Sequence, residues 1–195
     1  MNQTTNKREN AMTTPEAPQK SQAQQDYEKG QEYLQKQELG QAAAAFHNAL
    51  LGFEQNAEEN GVANAADKLG DICLEKKEFA KALAYFDRAY AICQRHLDRF
   101  SLFSLERKKA RVFAESEEYP QAIAAYVDIV DEYNALRDPR GAVETLETLA
   151  GVYLKVAEKA KAADCYRTIA SIHKHYRHNN FYANYMEKAM SIESE

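Results

Sequence analysis

Tryptophan is absent from the 195-residue sequence, and glycine (7) and proline (4) are scarce. With 45% hydrophobic and 28% charged residues, this composition is typical of a helical globular protein. No apolar run approaches the roughly 20 residues that span a bilayer, and the amino terminus lacks the apolar core of a secretion signal. We therefore expect a cytoplasmic protein without a membrane segment.

An excess of basic charge and paired cysteines are also missing. The formal net charge is −5, whereas surfaces that bind nucleic acid or acidic membranes are usually basic, so we expect neither as a partner. The three cysteines, Cys73, Cys93 and Cys165, form no CxxC pair. Cys73 and Cys93 occupy apolar positions of predicted helices, which indicates small core residues in a reducing compartment.

The sequence also lacks the motifs of catalysis, since it has no glycine-rich phosphate loop, no nucleophile elbow and no HExxH. We expect no enzyme activity and no cofactor. The segment HKHYRH holds His173, His175 and His178, but side chains two apart on a helix point to different faces. His173 also stands at an apolar packing position of the repeat described next, so the sequence predicts no metal site.

The most informative feature is a pattern that recurs every 40 residues. Within residues 63–96, one apolar helical stripe precedes the break Lys76-Lys77-Glu78 and a second follows it, as expected for two amphipathic helices in an antiparallel hairpin. Three columns carry the repeat without slippage: Gly30, Gly70, Ala110 and Ala150; Ala42, Ala82, Ala122 and Ala162; Phe46, Phe86, Tyr126 and Tyr166. The pattern predicts four helical hairpins.

The predicted hairpins cover residues 22–178, divided at about 22–61, 62–101, 102–141 and 142–178. A polar loop over residues 55–61 ends in glycine, a stop signal, and Asp138-Pro139 has the form of a helix N-cap and first residue. Residues 179–195 predict a helix that caps the last hairpin, with one apolar face of Tyr182, Tyr185, Met186, Ala189 and Met190. Residues 1–21 are polar and predict a disordered tail.

These residues resemble the tetratricopeptide repeat family. That family places an alanine on its second helix, an aromatic four residues later and an alanine three after that, as in Ala82, Phe86 and Ala89. The usual period is about 34 residues, so each unit here carries about six more. The resemblance implies an all-α fold, a right-handed superhelical solenoid whose first helices line a concave groove.

The same resemblance places candidate partner-binding residues on the polar face of the first helices: Tyr27, Gln31, Asp67, Asp71, Arg107, Arg111 and Glu147. Further positions of that face include Glu115, Glu144 and Lys155. Arg107 and Arg111 stand one helical turn apart and predict a receptor for a carboxylate. Alternatively, acidic and basic columns on neighbouring helices pair with each other and fix the register of the array. The two interpretations are compatible, because a ligand carboxylate can displace such a pair.

The implied function is a non-catalytic interaction module, an adaptor or scaffold that binds a protein or peptide segment in the groove. The alternative is a dedicated chaperone or regulatory subunit that shields or modulates one client. The carboxylate clamp of chaperone-tail-binding family members is excluded, because only Lys108 keeps the required charge among the matching positions Tyr27, Gln31, Lys68, Ser104 and Lys108. The sequence leaves the partner and the oligomeric state open.

Overall fold

A computed structural model describes residues 20–194, so that all but the last two residues of the predicted tail lie outside the described part. The described part contains nine α-helices: α1 (Gln22–Gln35), α2 (Leu39–Gln55), α3 (Glu59–Glu75), α4 (Phe79–Arg95), α5 (Arg99–Glu115), α6 (Tyr119–Ala135), α7 (Pro139–Lys155), α8 (Lys159–His175) and α9 (Asn179–Ser194). Each helix packs against the next, so α1 to α8 form four hairpins and α9 packs on α8. The predicted all-α repeat fold is confirmed.

Each of the first eight helices ends in the same short turn, and these turns recur every 20 residues. A residue in the left-handed region, with φ between 55° and 63°, stands at Gln37, Ala57, Lys77, Leu97, Glu117, Arg137, Ala157 and Arg177. The next amide bonds the carbonyl five residues back, as Glu78 N does to Cys73 O at 2.8 Å, which is a Schellman ending. None of the eight is glycine, although the conformation costs other residues roughly 1–2 kcal/mol.

Several glycines are required by close packing and not by turns, as Gly70 and Gly61 illustrate. A Cβ at Gly70 would overlap the ring of Phe86, which is fully buried as predicted. A Cβ at Gly61 would likewise overlap the ring of Phe53. The polar loop predicted over residues 55–61 is therefore wrong at its end. The turn is confined to residues 56–58, α3 begins at Glu59, and Gly61 lies in the first helical turn.

The sequence predicts two other local features correctly. Asp138 caps α7, because its Oδ1 accepts hydrogen bonds from the amides of Arg140 and Gly141 at 3.1 Å each. Cys73, Cys93 and Cys165 are buried and free, and burial raises the pKa of Cys165 to about 11. None of the helices within residues 20–194 is long and apolar enough to cross a membrane.

Buried side chains form two clusters that meet at α5. The first cluster extends from α1 to α5 around Phe46, Phe53 and Phe86. The second extends from α5 to α8 and includes Tyr126 and Tyr133. Helix α5 contributes Leu105 and Val112 to the first cluster and Ala110 to the second, so the polar face of α5 lies where the two halves of the array join.

Candidate groove between α5 and α7

A groove of about 690 Å³ lies between α5 and α7, with α6 beneath it. The floor is formed by largely apolar side chains, among them Tyr126 and Ile129 of α6, which are 8% and 3% exposed. The rim is polar and charged: Ser104, Arg107, Lys108, Arg111 and Glu115 on α5, and Glu144, Thr148 and Lys155 on α7. An apolar floor with a few polar groups at its edge is typical of a binding site.

Two cations of the rim have no carboxylate oxygen within 4.0 Å among residues 20–194. They are Arg107 and Lys155, and each lies over a tyrosine ring of α6. The Arg107 guanidinium is 5.7 Å from the centroid of Tyr133, and the Lys155 ammonium is 5.8 Å from that of Tyr119. A cation held over an aromatic face keeps its charge available to an anion.

Arg111 differs from these two cations because it is already paired within the chain. Its Nε lies 2.6 Å from Oε1 of Glu115, and its Nη2 lies 3.1 Å from Oε1 of Glu75. The bond to Glu115 raises the pKa of Arg111 further above its usual value. The exposed arginine is thus preorganised beside the groove by acidic neighbours on α5 and α3.

The predicted acidic residues Asp67 and Asp71 pair with a residue other than the two arginines. Lys108 Nζ lies 2.5 Å from Oδ1 of Asp67 and 2.9 Å from Oδ2 of Asp71. The side chains of Lys108, Asp67 and Asp71 are 25%, 23% and 35% exposed, so all three are largely buried. Burial raises the pKa of Asp71, and the bond to Lys108 opposes that rise. This cluster joins α3 to α5.

Tyr27 and Gln31 lie on α1 and do not contribute to the groove. Tyr27 packs edge-on against Phe46 and Phe53, with ring centroids 5.2 Å and 6.3 Å apart. Burial, followed by the charges of Asp67 and Asp71, raises the pKa of Tyr27. Gln31 is exposed.

Glu147 lies on α7 but outside the lining of the groove. It accepts a hydrogen bond of 2.5 Å from the hydroxyl of Tyr185 on α9. Burial and this bond raise the pKa of Tyr185 to about 12. Of the seven predicted partner-binding residues, the structure therefore brings Arg107 and Arg111 into the groove and distributes the other five along the array.

Sequence reasoning missed why the groove opens between α5 and α7. Contacts between first helices do not join residues 40 positions apart: Lys108 of α5 reaches Asp67 and Asp71 of α3, 41 and 37 residues earlier. The residue 40 positions after Lys108 is Thr148, which lines the groove with Arg107 and Arg111. Replacing a cation with a short hydroxyl leaves the space unfilled.

No protein-family model matches this chain, and no curated protein sequence does. Among solved structures, the apo form of RapI superimposes with a TM-score of 0.71 at 16% identity over 89% of this chain. BtubC (BKLC) from P. vanneervenii superimposes with a TM-score of 0.59 at 10% identity, over 85% of this chain and 77% of BtubC. The chain spans 64% of the length of RapI.

Identities this low show the fold alone. The fold is that of the tetratricopeptide-like helical-repeat proteins, to which RapI belongs. By architecture, this chain is therefore an all-α protein of repeated helical hairpins.

Proposed function

We propose that the chain is an interaction scaffold whose groove between α5 and α7 binds an extended, acidic segment of a partner protein. The observation that carries this proposal is the pair of cations, Arg107 and Lys155, that lie beside an apolar floor without a carboxylate partner in residues 20–194. Cations at the edge of a desolvated floor favour a ligand that combines carboxylates with apolar side chains. The likeness to RapI and BtubC supports a repeat scaffold and says nothing of the ligand.

The positions of the two cations suggest a spacing for the ligand's carboxylates. Lys155 is equivalent to Glu115 in the 40-residue repeat, eight residues beyond Arg107. Eight residues of an α-helix rise about 12 Å. An extended segment advances about 3.3 Å per residue, so about four residues cover this offset along the helix axes. The separation of α5 and α7 adds to it, so the two acidic residues should stand four or more positions apart. The residues between them would direct apolar side chains onto Tyr126 and Ile129.

The proposal does not need a large interface. A volume of about 690 Å³ suits a few side chains and not a whole domain. Arg111 contributes a smaller share of the affinity, because a ligand must compete with Glu115 and Glu75 for its guanidinium. If the partner's own stability or activity depends on the complex, the scaffold is a chaperone or regulatory subunit. The cytoplasmic location stays a prediction.

A displayed library of short random peptides, selected on the full chain, tests this function directly. We expect enriched peptides to carry two Asp or Glu residues four or more positions apart with an apolar residue between them. Titration calorimetry then compares the wild type with the double variant Arg107→Ala, Lys155→Ala. We expect a loss of about 2 kcal/mol, roughly 30-fold in Kd, as for an interface hot spot.

The matched control is Arg99→Ala. Arg99 is also an exposed arginine of α5, at 82% exposure, but it pairs with Glu132 and lies outside the groove. Its replacement should leave the affinity within twofold. Selected peptides that bind the double variant as tightly as the wild type would place the binding site elsewhere.

A further inference from the structure

Two of the three histidines of the HKHYRH segment converge, contrary to the expectation from helix periodicity. Helix α8 ends at His175, and the chain reverses through Arg177, whose φ is 59°. The amide of His178 then bonds the carbonyl of His173 at 2.9 Å. This Schellman turn brings the two Nδ1 atoms to 3.4 Å from each other, whereas the ring of His175 lies against Tyr176 at 5.1 Å.

The distance between the two nitrogens corresponds to a chelate. Two imidazole nitrogens bound at about 2.0–2.1 Å to one tetrahedral ion lie about 3.3–3.4 Å apart. The same distance is long for a hydrogen bond from a nitrogen donor, which is usually about 2.7–3.2 Å. The separation of the two nitrogens therefore matches the edge of a coordination tetrahedron better than it matches a hydrogen bond.

Aromatic packing fixes the orientation of the His173 ring. Its ring stacks on Phe181 at 5.0 Å and on Tyr185 at 5.4 Å, with interplanar angles of 19° and 8°. A ring whose orientation is already fixed loses less side-chain freedom when it binds an ion.

We propose that Nδ1 of His173 and Nδ1 of His178 chelate a borderline divalent transition-metal ion, with Zn²⁺ the best fit to the geometry. The ion would join the end of α8 to the start of α9 and thereby fix the terminal helix. Residues 20–194 contain no group of three or more His, Cys, Asp or Glu side chains placed to hold a metal, so water completes the coordination. Two ligands give a modest affinity with open positions.

The test titrates the full chain with Zn²⁺ near pH 7.5 and follows the imidazole nitrogen resonances of all five histidines. We expect the Nδ1 resonances of His173 and His178 to shift together, while those of His47, His96 and His175 stay in place. The thermal midpoint should rise with Zn²⁺ concentration, because an ion bound only to the folded state stabilises it.

The decisive variant is His178→Asn, since asparagine removes the imidazole and suits the position before a helix. Loss of one of two ligands should weaken Zn²⁺ binding at least tenfold. His175→Asn, at the end of the same helix, should change it less than twofold. Circular dichroism checks that α9 remains folded; if it does not, the resonances of the wild type decide alone. The proposal is overturned by equal shifts at all five histidines, by no shift, or by unchanged affinity in His178→Asn.

Discussion

Two junctions between first helices, α3 with α5 and α5 with α7, use equivalent positions and differ in what fills them. At the first junction, Lys108 of α5 bonds Asp67 and Asp71 of α3, and the two helices contact each other. At the second junction, Thr148 occupies the position of Lys108 and faces Arg107 and Arg111 across a groove. The same backbone repeat is therefore closed by an ion cluster at one junction and leaves a groove at the next.

The aromatic ring beneath the closed junction also differs from the ring beneath the open one. At the closed junction, the Lys108 ammonium lies 5.6 Å from the centroid of Phe86, which is 0% exposed. At the open junction, the equivalent ring is Tyr126, 8% exposed on the floor of the groove. Burial raises the pKa of Tyr126, and the charge of Arg111 opposes the rise. The cation that covers one ring is absent over the other.

The largest effect is expected from removing the ring under the closed junction. Phe86→Ala should lower the free energy of unfolding by about 3–5 kcal/mol, because it opens a cavity in the core. Urea denaturation measures this loss. Phe100→Ala is the control, since Phe100 is 89% exposed and surface changes usually stay within about 0.5 kcal/mol. A similar small change for Phe86→Ala would contradict the assignment of the core.

Removing the cation should damage the closed junction next. Lys108→Met leaves Asp67 and Asp71 partly buried, with Lys68 at 3.6 Å and 4.0 Å as the remaining cationic neighbour. We expect a loss of about 1–2 kcal/mol, moderated by this contact and by partial exposure. Arg107→Ala, which removes a neighbouring cation with no carboxylate partner, should cost less than about 0.5 kcal/mol. Equal losses in the two variants would show that the ion cluster does not close this junction.

The Lys108→Met deficit should also depend on pH. The pKa of Asp71 is already raised by burial, and removal of Lys108 raises it further. A raised folded-state pKa means that the folded protein binds protons more tightly than the unfolded protein. The lost stability is therefore regained as the pH falls through the folded-state pKa of Asp71, and it is lost again as the pH rises through that pKa. Denaturation at several pH values below 7 should therefore show the deficit shrinking with acidity, and a deficit that grows would be the wrong sign.

The turns that precede α5 and α7 should respond alike to substitution, because the two junctions differ in their charged side chains and not in the backbone conformation of their turns. Leu97 precedes α5 and Arg137 precedes α7, both with left-handed φ. Glycine at either position should stabilise the fold by about 0.5–1 kcal/mol, the relief of backbone strain exceeding the added entropy of the unfolded chain. Thermal denaturation of the two variants checks this, and clearly unequal gains would implicate the backbone.

The smallest effect on stability should come from converting the open junction to a closed one. Thr148→Asp provides a carboxylate opposite Arg107 and Arg111, a gain of about 0.2–1 kcal/mol for exposed pairs. It should also weaken the selected acidic peptides at least tenfold in calorimetry. Thr168→Asp is a matched control, because Thr148 and Thr168 both donate to the carbonyl four residues back, those of Glu144 and Asp164. If Thr148→Asp and Thr168→Asp weakened peptide binding equally, the groove would be excluded as the binding site.

The sequence was sufficient for the fold because the 40-residue columns report on packing. Phe86 over Gly70 and the cap at Asp138 follow from residue type and position alone. Gly61 was misjudged because a glycine after a polar run signals a helix end, whereas this one makes room for Phe53. The approach of His173 to His178 was missed for another reason: the segment HKHYRH was treated as one continuous helix, whereas the chain reverses at Arg177.

The candidate site was less predictable, for a geometric reason. Comparing residues at equal repeat positions set Arg107 beside Asp67. The side chains that meet across the junction are 41 and 37 residues apart and not 40, so Lys108 bonds the two aspartates instead. The two arginines were found by charge and spacing. The role of Thr148 required knowing which faces of α5 and α7 line the groove.

Because the left-handed turns recur at a regular spacing, each pair of helices is a unit that can be deleted or duplicated as a whole. Unequal recombination that deletes residues 98–137 would join Leu97 directly to Asp138, and every later turn would keep the same spacing. Helix α7 would then follow α4, and Asp67 and Asp71 would face Thr148 in place of Lys108. A duplication of the same segment would add a second closed or open junction according to its neighbour. The array can thus gain or lose junctions between first helices in steps of one helix pair, without any change in the sequence of the remaining loops.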